Sequence, residues 1–594
     1  MFARFWQETK RRNIPRSMAI YCGTAYIIFE AATLIFPRWG LPGWTIDILL
    51  YVLIVGAIIN AIVAWMFDLS QDGVKKTKPL EQETDIKKPA ASASWKIATY
   101  ISIVVIIGLI LFNILSPAWM SRYQRNLENS IAVLPFDNLS YDEAQLWFTV
   151  GISDVIISQL SKIAGLRVIQ RNSTQRYREK TMSIADIGKE LGVKFIVDGT
   201  VQKQGDHIRV VPKLIRVKNE THLWSEVYDS DWEGIFAIQT EIAKKVASNL
   251  HTVLSPEEVE KIENPGTEDP DAWEYYLKGN YLMRELTEMN VWKAIDKYKQ
   301  AIDLDENFAQ AYAGLAYAYF ELTIYDVLEP DPSLIPVARK WAFKALELNE
   351  NLGEPYYVLG MINYHHDWDW KAAEKALSTG MEQDPTVMWG RNYYANFLTF
   401  MRRFEESMAV SERSIELDPM VPSGYLELAF TLVISDLEKA EELLLKSLEL
   451  HPDYLNARIG LAMTYVMNGE NHQYAIDFCQ ELLEGFHNNL QIVPGGFLGV
   501  IGHMLAMAGG QVAVDEVLNE LLRRLDTEEK DVSYLWLGEI YYVLGETETA
   551  MDYFEKGYEV QEPFFFRLNY QPQLESLRSE PRFQALLQNM GFES

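Results

Sequence analysis

The spacing of apolar residues changes character three times along this chain. The first part holds apolar runs at Met18–Phe36, Ile48–Phe67 and Ile97–Leu115, the last of them with no polar face. Each is close to the ~20 residues needed to cross a bilayer. From 129 to 251 the runs shorten and alternate. Ile131–Phe136 and Leu166–Gln170 read as strands, as do Lys194–Lys203, His207–Val217 and Thr221–Tyr228. Helical spacing appears at Phe148–Ile163, through Ile152, Val155, Ile156, Leu160 and Ile163, and again at Ile184–Leu191 and Ile235–Leu250. An acidic, proline-bearing linker follows at Ser255–Pro270. From Asp271 to about Gly557 the pattern becomes periodic in small residues.

That period is near 34. Ala338, Ala372, Ser407, Ala440 and Ala475 follow one another at intervals of 34, 35, 33 and 35 residues. Short acidic tags ending in proline, such as Glu416-Leu417-Asp418-Pro419 and Glu449-Leu450-His451-Pro452, close the units, because proline cannot donate to a helix ladder. Other segments place a small residue after leucine, as in Leu359-Gly360, Leu428-Ala429 and Leu537-Gly538. Over residues 271–557 the chain resembles the tetratricopeptide repeat (TPR) family. The resemblance implies pairs of antiparallel helices, A and B, stacked into a solenoid because one pair cannot bury both its faces. It also implies a concave groove lined by A helices. Mapped here, the groove residues are Tyr317 and Phe320, then Tyr357, Met361 and Tyr364, then Asn392 and Asn396, then Leu426 and Phe430. Lysine and arginine are absent from this set, which speaks against a clamp for chain termini. Rings with amides suit an extended peptide.

Charge is divided unevenly. The formal net charge is −29, yet up to Arg125 there are 14 Lys/Arg against 8 Asp/Glu. The strongly acidic remainder argues against nucleic acid as a partner. Basic residues cluster before the first apolar run, at Lys10, Arg11, Arg12 and Arg16, and again from Lys75 to Lys88, while the turn Pro37–Trp44 carries only Arg38. By the positive-inside rule the basic segments are cytoplasmic. The expected layout is a cytoplasmic N-terminus (1–17), a transmembrane hairpin (18–67), a cytoplasmic linker (68–96) and a third transmembrane helix (97–115). It places the later domains on the opposite side. Glu30 lies within the first span as an intramembrane polar residue.

The segment 129–251 resembles the TolB amino-terminal domain. The residues carrying this are Ile131–Ser140, Gly165–Ile169, Glu190–Val193, Asp198–Val201 and His222–Asp229. With Asp367-Trp368-Asp369-Trp370 and Leu577–Phe583, nearly the whole chain is similar to bacterial membrane-anchored TPR proteins. The fold class expected is therefore multidomain: three N-terminal transmembrane helices, a small α/β TolB-like domain, an all-α TPR solenoid, and a C-terminal capping segment (558–594). The location implied is the bacterial inner membrane, with periplasmic C-terminal domains.

No phosphate-binding loop, zinc-protease motif, Cys-x-x-Cys or nucleophile elbow occurs. His365 and His366, beside Asp367, read as an inter-helix turn rather than a metal site. No catalytic residue, metal ligand or cofactor is expected. The function expected is a non-enzymatic scaffold binding a protein or peptide partner through the groove; the alternative is a transmembrane sensor whose exported body binds a ligand.

Overall fold

A computed structural model describes residues 129–592, apart from 141–145, 164, 180, 285, 325–330, 470 and 528–531. Before these it describes only Tyr21, Ala25, Tyr26, Phe29, Leu53 and the strands at 67–70 and 73–76. The chain divides into two compact units, Met1–Leu111 and Phe112–Ser594.

In the first unit, β1 (Phe67–Ser70) and β2 (Gly73–Lys76) pair as an antiparallel hairpin. The Tyr21 hydroxyl donates to the carbonyl of Leu53 at 2.9 Å. The three expected transmembrane helices, and the multi-pass inner-membrane location built on them, are corrected here. Among the described residues no helix is long and apolar enough to cross a membrane. The apolar helix Gly495–Met507 has 13 residues, so at 1.5 Å per residue it reaches about two-thirds of a ~30 Å hydrocarbon core. The remainder of the runs 18–36 and 48–67, all of 97–115, and Glu30 lie outside the described residues.

The second unit begins with a mixed sheet. Its order is β5 (Arg167–Val168), β3 (Ser130–Val133), β6 (Phe195–Gln204), β7 (His207–Arg216) and β8 (Thr221–Ser225). Strand β4 (Asp137–Asn138) continues beside β6, and β9 (Tyr228–Asp231) pairs with β7. Pairing is parallel from β5 through β3 to β6 and antiparallel beyond. Strand β3 is apolar at successive positions because both its faces are covered. Ile131 and Val133 meet the core formed with helices α1 (Leu146–Ser161) and α4 (Ile235–Asn249). Ala132 and Leu134 meet the opposite core with α3 (Ile184–Glu190), which follows the short α2 (Arg171–Gln175). At Gly199 the chain passes so close to β7 that a Cβ would stand 2.7 Å from the Val211 carbonyl. The segment expected as a linker contains a helix, Pro256–Glu263, whose start is fixed by a reciprocal Ser255–Glu258 capping box.

Among the described residues, sixteen helices then form eight antiparallel pairs. The A helices are Pro270–Leu282, Ala309–Ile324, Gly353–Ile362, Met388–Phe400, Pro422–Leu432, Leu455–Met467, Gly495–Met507 and Tyr534–Val543. The B helices are Glu288–Leu304, Ile335–Leu348, Trp370–Gln383, Phe404–Leu417, Leu437–Leu450, His472–Gly485, Gln511–Asp526 and Thr547–Glu559. Each B helix turns a small or apolar stripe inward, such as Ala338, Ala342 and Ala345, or Ser407, Ser411 and Ser414, all buried. Small residues on A helices admit large partners from B helices. A Cβ on Gly360 would stand 2.5 Å from Leu377 Cγ.

The mixed-sheet domain and the solenoid share a core, in which Trp273 and Leu277 of repeat 1 join Phe148 and Trp232. Contacts also reach the fourth repeat. Buried Asp418, in the turn after its B helix, accepts from Ser173 Oγ at 2.6 Å and from the Gln170 backbone N–H at 3.0 Å. At the far end, residues 564–592 fold back onto earlier repeats. Trp370 stacks on Phe592 at 4.8 Å and donates to the Met590 carbonyl at 2.8 Å. Asn569 Nδ2 donates to the Phe400 carbonyl at 2.8 Å, and Arg402 grips Glu575 with two bonds of 3.0 and 3.1 Å.

Candidate functional site

The inner face of repeats 2 to 5 lies between these two closures. Its residues come from four neighbouring A helices. Repeat 2 contributes Tyr317 and Glu321. The Tyr317 ring lies parallel to Trp389 of repeat 4, with centroids 4.3 Å apart and planes at 14°. Trp389 also meets Tyr357 of repeat 3 at 5.6 Å and Tyr393 at 6.4 Å, edge to face in both cases. Asn392 Nδ2 donates to Ser423 Oγ at 2.8 Å, and one turn later Asn396 Nδ2 donates to Glu427 Oε2 at 3.2 Å. Asn392, Tyr393, Asn396, Ser423 and Glu427 are all part-exposed.

The mapped groove residues divide into two groups. Phe320, Tyr357, Met361 and Tyr364 are fully buried, and Leu426 nearly so. Tyr317, Asn392, Asn396 and Phe430 are part-exposed. Tyr357 is a packing residue by its surroundings. Its ring fills the space that side chains on Gly380 and Gly390 would take, and its hydroxyl donates to the Asp384 carbonyl at 3.2 Å. Phe430 offers its carbonyl to the Tyr570 hydroxyl.

Glu321, Glu354, Trp389, Tyr393 and Glu427 were missed by the sequence reading. Each lies one residue, or one helical turn, from a mapped position or on the same A helix. The mapping followed the small residue of each A helix, and these five side chains stand beside that line. Poor solvation raises the Glu321, Glu354 and Glu427 carboxyls to about 7. Glu354 and Glu427 keep some exposed surface.

Repeat 3 departs from the others at the end of its A helix. Residues Asn363–Asp367 form a wider π turn in which the Trp368 N–H reaches the Asn363 carbonyl. This turn carries His365 inward among Phe320, Tyr364, Tyr393, Phe564 and Phe566. Burial lowers its pKa to about 3, so the ring is neutral. His366 instead faces Asp367 at 3.1 Å, and Asp367 is held by Arg339 at 2.5 Å. Among the described residues no group of three or more His, Cys, Asp or Glu could hold a metal ion.

The matching family models fit this architecture. One described as "TPR repeat" covers residues 292–322, and one described as "Tetratricopeptide repeat" covers 532–563. These two stretches of the solenoid are therefore tetratricopeptide repeats. The mixed-sheet domain gives a different answer from the TolB resemblance. Residues 127–245 match the second domain of HilA/YgeH-like transcriptional regulators. A curated relative, "Putative adenylate cyclase 3" of Rhizobium meliloti (strain 1021), is 32% identical over 232 residues. That match covers 39% of this chain and 40% of the relative, so the chain spans well under half the relative's length.

Solved structures similar to the TPR chain include the human IFIT1 dimer with m7Gppp-AAAA. It is 14% identical, has a TM-score of 0.37, and the match covers 56% of this chain and 81% of that one. YrrB, a TPR protein with an unusual peptide-binding site, is 22% identical, with a TM-score of 0.23 and coverage of 34% and 94%. A thermophilic TPR protein of Thermus thermophilus is 14% identical, with a TM-score of 0.28 and coverage of 33% and 99%.

Proposed function

We propose that this TPR protein is a regulatory scaffold, and that its solenoid receives an extended partner segment on the inner face of repeats 2 to 5. The observation that carries this reading is the polar row Asn392, Asn396, Ser423 and Glu427. It runs along two adjacent A helices, and each of its four residues is part-exposed. Side-chain amides can pair with a peptide backbone while flanking rings cover its side chains. The regulatory part is supported by the match to a domain of transcriptional regulators and by the cyclase name of the curated relative. The shared portion of that relative would then be a binding portion, and the solenoid binds rather than catalyses.

Photo-cross-linkers placed at 396 and, as a control, at 446 test the site. Lys446 lies on the fifth B helix, paired with exposed Glu449 at 2.8 Å. A partner should be trapped from 396 and not from 446. The double substitution Asn392→Ala, Asn396→Ala should reduce capture by about tenfold or more with folding intact. Equal trapping from both positions, or full capture by the double variant, would move the site off the inner face.

A further inference from the structure

We propose that residues 562–573 are a displaceable internal ligand of the solenoid. They fill a site that takes an extended peptide carrying an aromatic ring, followed by side-chain N–H and O–H donors. The site lies at the ends of the A helices of repeats 3 to 5, and it does not depend on what the inner face binds.

The segment makes the contacts of a bound peptide. Phe566 is fully buried, with the rings of Phe400, His365 and Tyr364 at 4.9, 5.1 and 5.3 Å. Three residues on, Asn569 Nδ2 donates to the Phe400 carbonyl at 2.8 Å. The Tyr570 hydroxyl donates to the Phe430 carbonyl. Both carbonyls lie in the last turn of an A helix, where intrahelical partners run out. Apart from the 3-10 turns Phe565–Asn569 and Pro572–Ser579, the chain from 564 to 579 has no helix or strand of its own. Capping the solenoid does not account for this path. The last helix, Pro581–Asn589, already covers repeat 8, where Arg582 bonds Glu548, Asp552 and Glu555 at 2.8 to 3.0 Å. Residues 562–573 instead reach repeats 3 to 5.

Two observations mark the fit as one that can be released. The first is unmet polar groups. The Tyr364 hydroxyl, both ring nitrogens of His365 and Trp368 Nε1 are buried without a hydrogen-bond partner among the described residues. Tyr364 and His365 meet Phe566, and Trp368 stacks on Phe565 with centroids 6.2 Å apart. Rings cannot satisfy such groups, and leaving them unmet is costly. A peptide that brings polar groups to them gains what the chain's own segment forgoes. The second is backbone strain on both sides of the contact. Gln561 and Phe564, where the segment leaves repeat 8, and Trp368, in the π turn that receives it, have φ of 48°, 64° and 55°. Bulky residues rarely hold this left-handed conformation, and such strain collects at ligand clamps and switches.

The test uses the full chain and the fluorescence anisotropy of a labelled peptide of residues 562–573. The tethered segment competes at an effective concentration of about 1 mM, so wild type should bind the peptide weakly. The double substitution Phe566→Ala, Asn569→Ala in the chain weakens that competitor and should tighten peptide binding by about tenfold or more. A peptide carrying Phe566→Ala should not bind the variant. Arg402→Ala cuts the exposed pair with Glu575 and should shift affinity the same way, which keeps the test open if the double variant melts early. Equal binding by wild type and folded variants overturns the internal ligand, as does equal binding of the peptide without its ring. So does the lack of saturable binding by every folded variant. A wild-type dimer in sedimentation that the double variant disperses would also overturn it, because the segment would then pass between copies. Trapping of a partner from position 396 stands or falls separately from these results.

Discussion

Glu539 shows how burial sets protonation in this interior. It is fully buried, and burial raises its carboxyl to about 8. His503, 3.2 Å away and equally buried, is held neutral with a pKa of about 3. The contact therefore joins a neutral ring to a protonated acid, and is not an ion pair. Gln571 and Gln573 donate to the same carboxyl at 2.6 and 3.1 Å. The folded state keeps this proton above the pH at which an unfolded glutamate loses it. The contribution of Glu539 is thus fully present below about pH 4.5 and is lost as pH rises through about 8. Denaturant titrations from pH 4.5 to 8.5 should show stability falling, and Glu539→Gln should flatten that fall by roughly 1–3 kcal/mol. An unchanged slope would mean that the acid ionises freely. Tyr357→Ala is the second test at this scale. It empties the space between Gly380 and Gly390 and should cost about 3–5 kcal/mol in a chemical melt. A smaller loss would mean that the helices close over the gap.

Helix pairing was the most legible level of the sequence. Close A–B contact needs a small residue once per repeat, so Ala338, Ser407 and Ala440 leave a visible period. Gly360→Leu would drive a side chain into Leu377, and overpacking of this kind should lower the stability of the chain by about 1–3 kcal/mol or more. A melting curve that matches wild type would show that the phase of repeat 3 is misassigned. The strands of the mixed sheet were legible for a similar reason, since Ile131 and Ala132 must face different cores. The part-exposed polar side chains were legible only in part: Asn392 and Asn396 fell on the mapped line, whereas Tyr393 and Glu427 stand one residue from it, because that depends on how far each A helix turns about its own axis. The π turn at Asn363–Asp367 left only the tag Asp367-Trp368-Asp369-Trp370 as a clue. Apolar length misled at the N-terminus. It reports hydrophobicity alone, and among the described residues no helix is long and apolar enough to cross a membrane.

At the scale of the molecule, distant contacts tie repeats to segments far along the chain. Asp418 joins the fourth repeat to residues nearly 250 positions earlier, through Gln170 and Ser173. Replacing it with alanine strands a buried hydroxyl and a backbone N–H, at a cost of about 2–4 kcal/mol. Hydrogen exchange should then rise at 167–175 and 418–421 together, and a rise at only one of them would show that the two segments are not coupled. Removing residues 562–594 should likewise loosen Phe400 and Trp370, which that segment covers. Exchange at 364–402 would report it, and unchanged protection there would show that the closure is dispensable.

The two closures have a mechanical consequence. An open solenoid transmits strain only between neighbours, and it can fray from either end, one repeat at a time. Here the first repeat is tied to the fourth through the mixed-sheet domain, and the eighth is tied back to the third and fourth by the C-terminal segment. Pulled from its ends, such a chain behaves as a buckled strap and not as a spring. Extension should be small until a tie gives way, and several repeats should then lengthen at once.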